Sequence, residues 1–194
     1  PHPRCLRRIA MALALDRSGS MDGQEESAQT FANSLVAQLI LGPTHSSMSL
    51  ITFSSSAAVN LPFHEGDSSI AVETAIAGIG TGSMTFTGGT NINAGLNQAM
   101  PDLLGMGSAY LPVVFLFTDG QQSAMYGGND AAIATANILK AAGITIFAVG
   151  FGRDVSAASL ASIASQPTAT HSFVGTTIDQ IADRFRTTLC SAIA

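Results

Sequence analysis

The chain has 194 residues, of which 46% are hydrophobic, enough for the core of one domain and too many for intrinsic disorder. Only 11% are charged, and 13 acids against 8 bases give a formal net charge of −5, a balance that disfavours a nucleic-acid binder. The surface is therefore expected to be covered by Ser, Thr, Asn, Gln, Gly and Ala. The most apolar runs, 9–15 and 111–117, fall far short of the roughly 20 residues of a membrane span.

In chain order, short apolar runs alternate with segments of helical period, which predicts an α/β fold on a mostly parallel sheet. Residues 9–15 (Ile-Ala-Met-Ala-Leu-Ala-Leu) read as a central strand covered on both faces. Residues 22–41 read as a helix, with Ala28, Phe31, Ala32, Leu35, Val36 and Leu39 on one stripe and Gly42-Pro43 as its stop. Residues 47–53 and 57–61 are strands whose short Ser54-Ser55-Ser56 connection permits only a hairpin, so one of the two lies antiparallel at an edge.

A helix over 67–79, with Asp67 and Ser68 as cap candidates, precedes a Gly/Thr loop over 78–90. A further helix covers 91–104, with Asn91 as its cap and Pro101 as a kink or restart. Strand 111–118, helix 130–142 and strand 144–149 follow, then a short helix at 156–164, a strand at 170–174 and a last helix at 178–189. The sum is a Rossmann-like, doubly wound sheet of six strands with helices on both faces, one domain over 1–194 with a core of about 8–190. The N-terminus carries no signal peptide and no Met, which reads as a mature or excised domain of a longer protein.

Cys5 and Cys190 stand almost at the two ends, without the neighbouring ligands of a zinc site. They are either unrelated buried thiols or one disulfide. A bridge would restrict the unfolded chain by about 5 kcal/mol in the loop-entropy picture and would indicate an oxidising compartment.

Open α/β sheets place ligands beyond the C-terminal ends of their strands. There the first strand is followed by Asp16-Arg17-Ser18-Gly19-Ser20 and the second core strand ends in Thr118-Asp119-Gly120, while the Gly/Thr loop delivers Thr90 just before a helix. Asp16 and Asp119 with Ser18, Ser20 and Thr90 form an all-oxygen donor set suited to a hard cation. Few carboxylates with hydroxyls and waters favour Mg2+, with Mn2+ or Ca2+ as alternatives. Alternation in Asp16-x-Ser18-x-Ser20 puts three side chains on one side of an extended turn, which Gly19 is expected to tighten. Taken singly, Asp16 and Ser18 read equally well as helix caps and Asp119-Gly120 as a turn. Met21 and Met84 flank the rim as packing residues or partner contacts.

Asp16-Arg-Ser-Gly-Ser20, Thr90 in its Thr-Gly-Gly-Thr-Asn context and Asp119 in Phe-Thr-Asp-Gly together resemble the metal-ion-dependent adhesion site of the von Willebrand factor type A domain. The order of elements agrees over nearly the whole chain. The resemblance implies that Ser18, Ser20 and Thr90 bind the metal directly when a ligand is present, and that Asp16 and Asp119 act largely through water. It implies one short antiparallel edge strand, and chain ends that lie together opposite the metal, where a Cys5–Cys190 bridge would fit. It further implies that the ion captures a Glu or Asp side chain of a protein partner.

An enzyme reading finds little. Asp16 stands where a Gly-x-Ser-x-Gly elbow around Ser18 would need glycine, no phosphate loop occurs, and the only lysine is Lys140. His45, His64 and His171 fall away from the rim and His2 in the tail, so each reads as surface or structural. The expectation is a metal-dependent adhesion module, no enzyme, monomeric and extracytoplasmic, with no nucleic acid and no membrane insertion of this domain. The alternatives are a cytoplasmic scaffold subunit of an ATP-driven assembly such as a chelatase and, last, a metal-dependent hydrolase. High Ala and low charge suggest a bacterial source.

Overall fold

The structure is a computed structural model and describes residues 7–152, 155–175 and 181. Cys5, Cys190 and the helix expected over 178–189 lie outside the described residues, apart from buried Ile181. Six strands form one sheet: β1 (Ile9–Asp16), β2 (Ser47–Phe53), β3 (Ala57–Leu61), β4 (Leu111–Thr118), β5 (Thr145–Phe151) and β6 (Ser172–Gly175), in the order β3-β2-β1-β4-β5-β6. Every neighbouring pair is parallel except β2 with β3, the hairpin at the edge.

Strand alternation divides the interior into two cores. Ile9, Met11, Leu13 and Leu15 of β1 face the first, where α1 (Glu25–Val36) brings Phe31 and Leu35 and α2 (Ser69–Ala77) brings Val72 and Ile76. Ala10, Ala12 and Ala14 face the second, with Leu96 of α3 (Ile92–Gly105), Leu139 of α4 (Gly128–Ala141) and Leu160 of α5 (Ala157–Ile163). Small side chains on the second face of β1 let α3 come close. At Gly95 of α3 a Cβ would stand 2.6 Å from Cδ1 of Phe53, so only glycine fits there unless the ring shifts. In the first core Phe117 stacks on Phe31 at 4.5 Å and on Phe151 at 4.8 Å between ring centroids, each pair contributing about 1 kcal/mol beyond simple burial.

The helices depart from the sequence expectation mainly at their ends. Between β1 and α1 the chain forms a 3-10 turn (Gly19–Met21) and passes through Gly23 at φ +80°, so α1 begins at Glu25 and not at 22. It ends at Val36, and Leu39 is buried from beyond the turn that follows the helix. Ser68 caps α2, its hydroxyl accepting from the N–H of Ala71, so Asp67 stays outside. Asn91 caps α3 by accepting from the N–H of Ala94. That helix runs through Pro101 without restarting. Pro101 and Asn97 both lie on its exposed face, so the missing N–H breaks no buried bond. A one-turn helix α6 (Thr168–His171) precedes β6, and its buried His171 packs against Phe147 with the rings tilted by 34°.

Candidate metal centre

From the central pair β1 and β4 the sheet extends through β2 and β3 on one side and through β5 and β6 on the other. Their C-terminal ends therefore form the switch point, where an open α/β sheet leaves a crevice for ligands. The β1–β4 register pairs Ala14 with Leu116 and Leu15 with Phe117, which brings Asp16 beside Thr118 on the second core's face. Thr118 donates its hydroxyl to Asp16 Oδ2 at 2.6 Å, and the N–H of Ser18 donates to Oδ1 at 2.8 Å. Asp16 is fully buried. Burial pushes its carboxyl up to about 6; the bonds from Thr118 and Ser18 pull the other way, and nearby Asp119 adds a smaller upward push.

Ser18 is extended, and the 3-10 turn after it swings Ser20 back towards the rim. The Ser18 and Ser20 hydroxyls lie 3.1 Å apart, and Ser20 donates to Asp119 Oδ1 at 2.8 Å. The turn tightens at Gly19 as expected, since the 3-10 turn opens there, but without a positive φ at that residue. Left-handed backbone occurs instead at Gly23 and at Gly88 (φ +85°), whose carbonyl accepts from the Gly19 N–H at 2.9 Å.

Thr90 arrives from the third loop, buried, with its Oγ1 3.9 Å from where a Cβ on Gly120 would stand. Its backbone is held on both sides: its N–H donates to Ser123 Oγ at 3.1 Å, and the Ser123 N–H donates to its carbonyl at 2.9 Å. The hairpin turn anchors the neighbours, since Ser55 Oγ accepts from the Gly89 N–H and the carbonyls of Ser54 and Ser55 accept from the main chain and side chain of Asn91.

The structure thus brings Asp16, Ser18, Ser20, Thr90 and Asp119 to one rim. Thr118, Ser123 and Ser55 support them and were not singled out from sequence; Thr118 had one signal, a hydroxyl ending an otherwise apolar strand. Met21 is fully buried and is a packing residue, while Met84 packs on the first core and stays partly exposed.

The donor chemistry fits a hard divalent cation. Among the described residues no group of three or more His, Cys, Asp or Glu gathers, so a cation here would meet two carboxylates and three hydroxyls. Asp16 is met by hydrogen-bond donors and, among the described residues, by no basic side chain. A buried carboxylate in that position gains from a cation set against it.

These features define a doubly wound α/β domain with an oxygen-lined site at its switch point. The family model of the von Willebrand factor type A domain matches residues 11–187, and the chain belongs to that family. No curated protein matches it in sequence. Among solved structures it is similar to proximal thread matrix protein 1 of the mussel byssus with a zinc-occupied MIDAS motif: 20% identity, TM-score 0.81, covering 98% of this chain and 47% of that one. Manganese-loaded TRAP protein of Plasmodium vivax gives 17% identity and TM-score 0.77 over 93% of this chain and 73% of that one. The open pilus adhesin SpaC of Lactobacillus rhamnosus GG gives 18% and 0.73 over 99% and 30%. The chain thus spans about half the length of the byssus protein and under a third of the adhesin. No helix among the described residues is long and apolar enough to cross a membrane.

Proposed function

We propose that this chain is a metal-dependent protein-binding module and no enzyme, with Mg2+ as its resident ion. The supporting observation is the convergence of Asp16, Ser18, Ser20, Thr90 and Asp119 from three loops onto one rim. The Ser18, Ser20 and Thr90 hydroxyls would hold the ion, and Asp16 and Asp119 would orient them and bound water. Neutral hydroxyls leave a divalent cation electrophilic, and when bound it supplies an acceptor for one Glu or Asp carboxylate of a partner. The chain's own part is positional: Thr118 and the Ser18 N–H hold Asp16, Asp119 holds Ser20, and Ser123 holds Thr90. The byssus matrix protein and the pilus adhesin among its structural relatives support an adhesive role and an extracytoplasmic site of action.

Titration calorimetry with Mg2+ or Mn2+ on the wild type, Asp16→Ala and Thr90→Ala tests this. Binding by the wild type that both substitutions abolish is expected. Equal binding by all three would dismiss the proposal.

A further inference from the structure

The loop that carries Asp119 is anchored by a buried amide three residues further on. Both ends of the Gln122 side chain are bonded. Its Oε1 accepts from the Asn93 N–H at 3.1 Å, and its Nε2 donates to the Tyr126 carbonyl at 3.0 Å. Its main-chain N–H donates to Asn129 Oδ1 at 3.2 Å, in the first turn of α4. The Asn93 N–H belongs to the first turn of α3, where backbone donors find no partner within the helix. Asn91 takes the N–H of Ala94, and Gln122, from 29 residues away, takes that of Asn93. The Asn93 side chain in turn accepts from the Thr135 hydroxyl of α4. One amide thus joins the start of α3 to the turn Ala124–Tyr126 and, through Asn129 and Asn93, to α4.

Thr90 and Asp119 stand on the two pieces that this amide holds together. Thr90 lies two residues before α3. Asp119 lies between Thr118, whose hydroxyl accepts from the Gly120 N–H at 3.2 Å, and Gln122. The span from Thr118 to Gln122 is therefore held at one end by the sheet and at the other by α3. Ser123 alone would leave the loop free to pivot about Thr90; the second attachment, at Asn93, removes that freedom. We infer that Gln122 is a positioning residue that sets the spacing of Asp119 from Thr90, and with it the size of cation the centre prefers. The inference rests on the proposed metal site. Mg2+ demands near-ideal octahedral oxygens at about 2.1 Å, whereas Ca2+ tolerates about 2.3–2.6 Å and irregular geometry. A slackened span costs Mg2+ more than Ca2+.

The test measures Mg2+ and Ca2+ affinities of the full chain by calorimetry, directly or in competition with Mn2+. Gln122→Met keeps the volume and removes both amide bonds. Mg2+ affinity is expected to fall about tenfold and Ca2+ affinity about threefold at most, which lowers the preference for Mg2+. Gln122→Glu keeps an oxygen for the Asn93 N–H, and its charge acts on both divalent ions alike, so it should retain the wild-type preference. Ser165→Ala removes the acceptor of the Ile146 N–H near the start of β5, away from the rim, and should leave both affinities unchanged. In EDTA, amide exchange at Thr90 and Ser123 should quicken in Gln122→Met and not in Ser165→Ala. Should Gln122→Met not fold, Asn129→Ala takes its place, since it removes the acceptor of the Gln122 N–H from a partly exposed position. A preference that is not lowered, one lowered as much in Gln122→Glu or Ser165→Ala, or unaltered amide exchange overturns the role of Gln122 and leaves the metal site standing. A wild type that binds neither ion overturns the metal site and this inference with it.

Discussion

Thr118 and Asp16 are tied side chain to side chain at 2.6 Å across the two parallel strands at which the strand order reverses. Both continue the inward face of Ala14 and Leu116. The orientation of the buried acid is therefore set by strand register and not by a loop. Thr118→Val keeps the shape and removes the donor, leaving a buried carboxylate short of one bond. Unfolding free energy near pH 7 should fall by about 1–3 kcal/mol, and Mg2+ affinity by about tenfold or more. Thr118→Ser should restore both. Urea denaturation and calorimetry measure the two, and a wild-type result for Thr118→Val would remove the bond from the account.

Asp16 also gives the metal-free protein a pH dependence of definite sign. Its carboxyl is raised from 3.8 to about 6, chiefly by burial. As pH rises through that window the unfolded chain loses its proton before the folded one does. This acid's contribution to stability is thus fully present below about pH 4 and lost on passing 6, a change on the order of 2–3 kcal/mol. The slope should appear in the difference between wild type and Asp16→Asn, measured in EDTA. Metal binding runs the opposite way: apparent Mg2+ affinity should climb up to about tenfold per pH unit below 6 and level off above it.

The approach of α3 to the sheet can be tested at one position. Gly95→Ala would set its Cβ 2.6 Å from Phe53 Cδ1 and 2.9 Å from Cγ. Alanine's better helix propensity, about 1 kcal/mol, is expected to be outweighed by overpacking of about 1–3 kcal/mol. The melting temperature should fall. Because α3 starts two residues after Thr90, Mg2+ binding should weaken too.

Ser123→Ala removes the acceptor for the Thr90 N–H. The expected cost in stability is about 1 kcal/mol, with a several-fold loss of Mg2+ affinity from a loosened Thr90. The split is the diagnostic: an equal stability loss with unchanged metal affinity would make Ser123 merely structural.

The parts of the fold legible in sequence were those carried by alternation and by hairpin length. The six strands and the antiparallel edge were readable, and so was the approach of Asp16, Ser18, Ser20, Thr90 and Asp119 to one rim. Helix ends were not. The stripe ending at Leu39 reports burial, and burial persists past Val36 into a turn that is no longer helical. The start of α1 was hidden because Gly23 breaks the backbone where acidic residues suggested a helix start. Thr118, Ser55 and Ser123 were missed for a related reason: their partners lie 102, 34 and 33 residues away, and no local pattern marks them.

For Cys5 and Cys190 the proposal remains a single disulfide, with an oxidising compartment. A thiol assay on the denatured, unreduced chain should find none free. Reduction should lower stability by up to about 5 kcal/mol. Two reactive thiols would shift the reading towards a cytoplasmic scaffold.

The rim loops 78–90 and 120–129 contain no charged residue of their own, and the charges that lie on the first of them, Arg17 at the Thr85 carbonyl and Glu25 beside Gly80, come from the segment between β1 and α1 and from the start of α1. Under the proposed capture these loops would add little steering of their own, so the pull on an approaching acid would come from the ion and weaken with ionic strength. Under the same proposal, grip would depend on how slowly the captured acid leaves its cation.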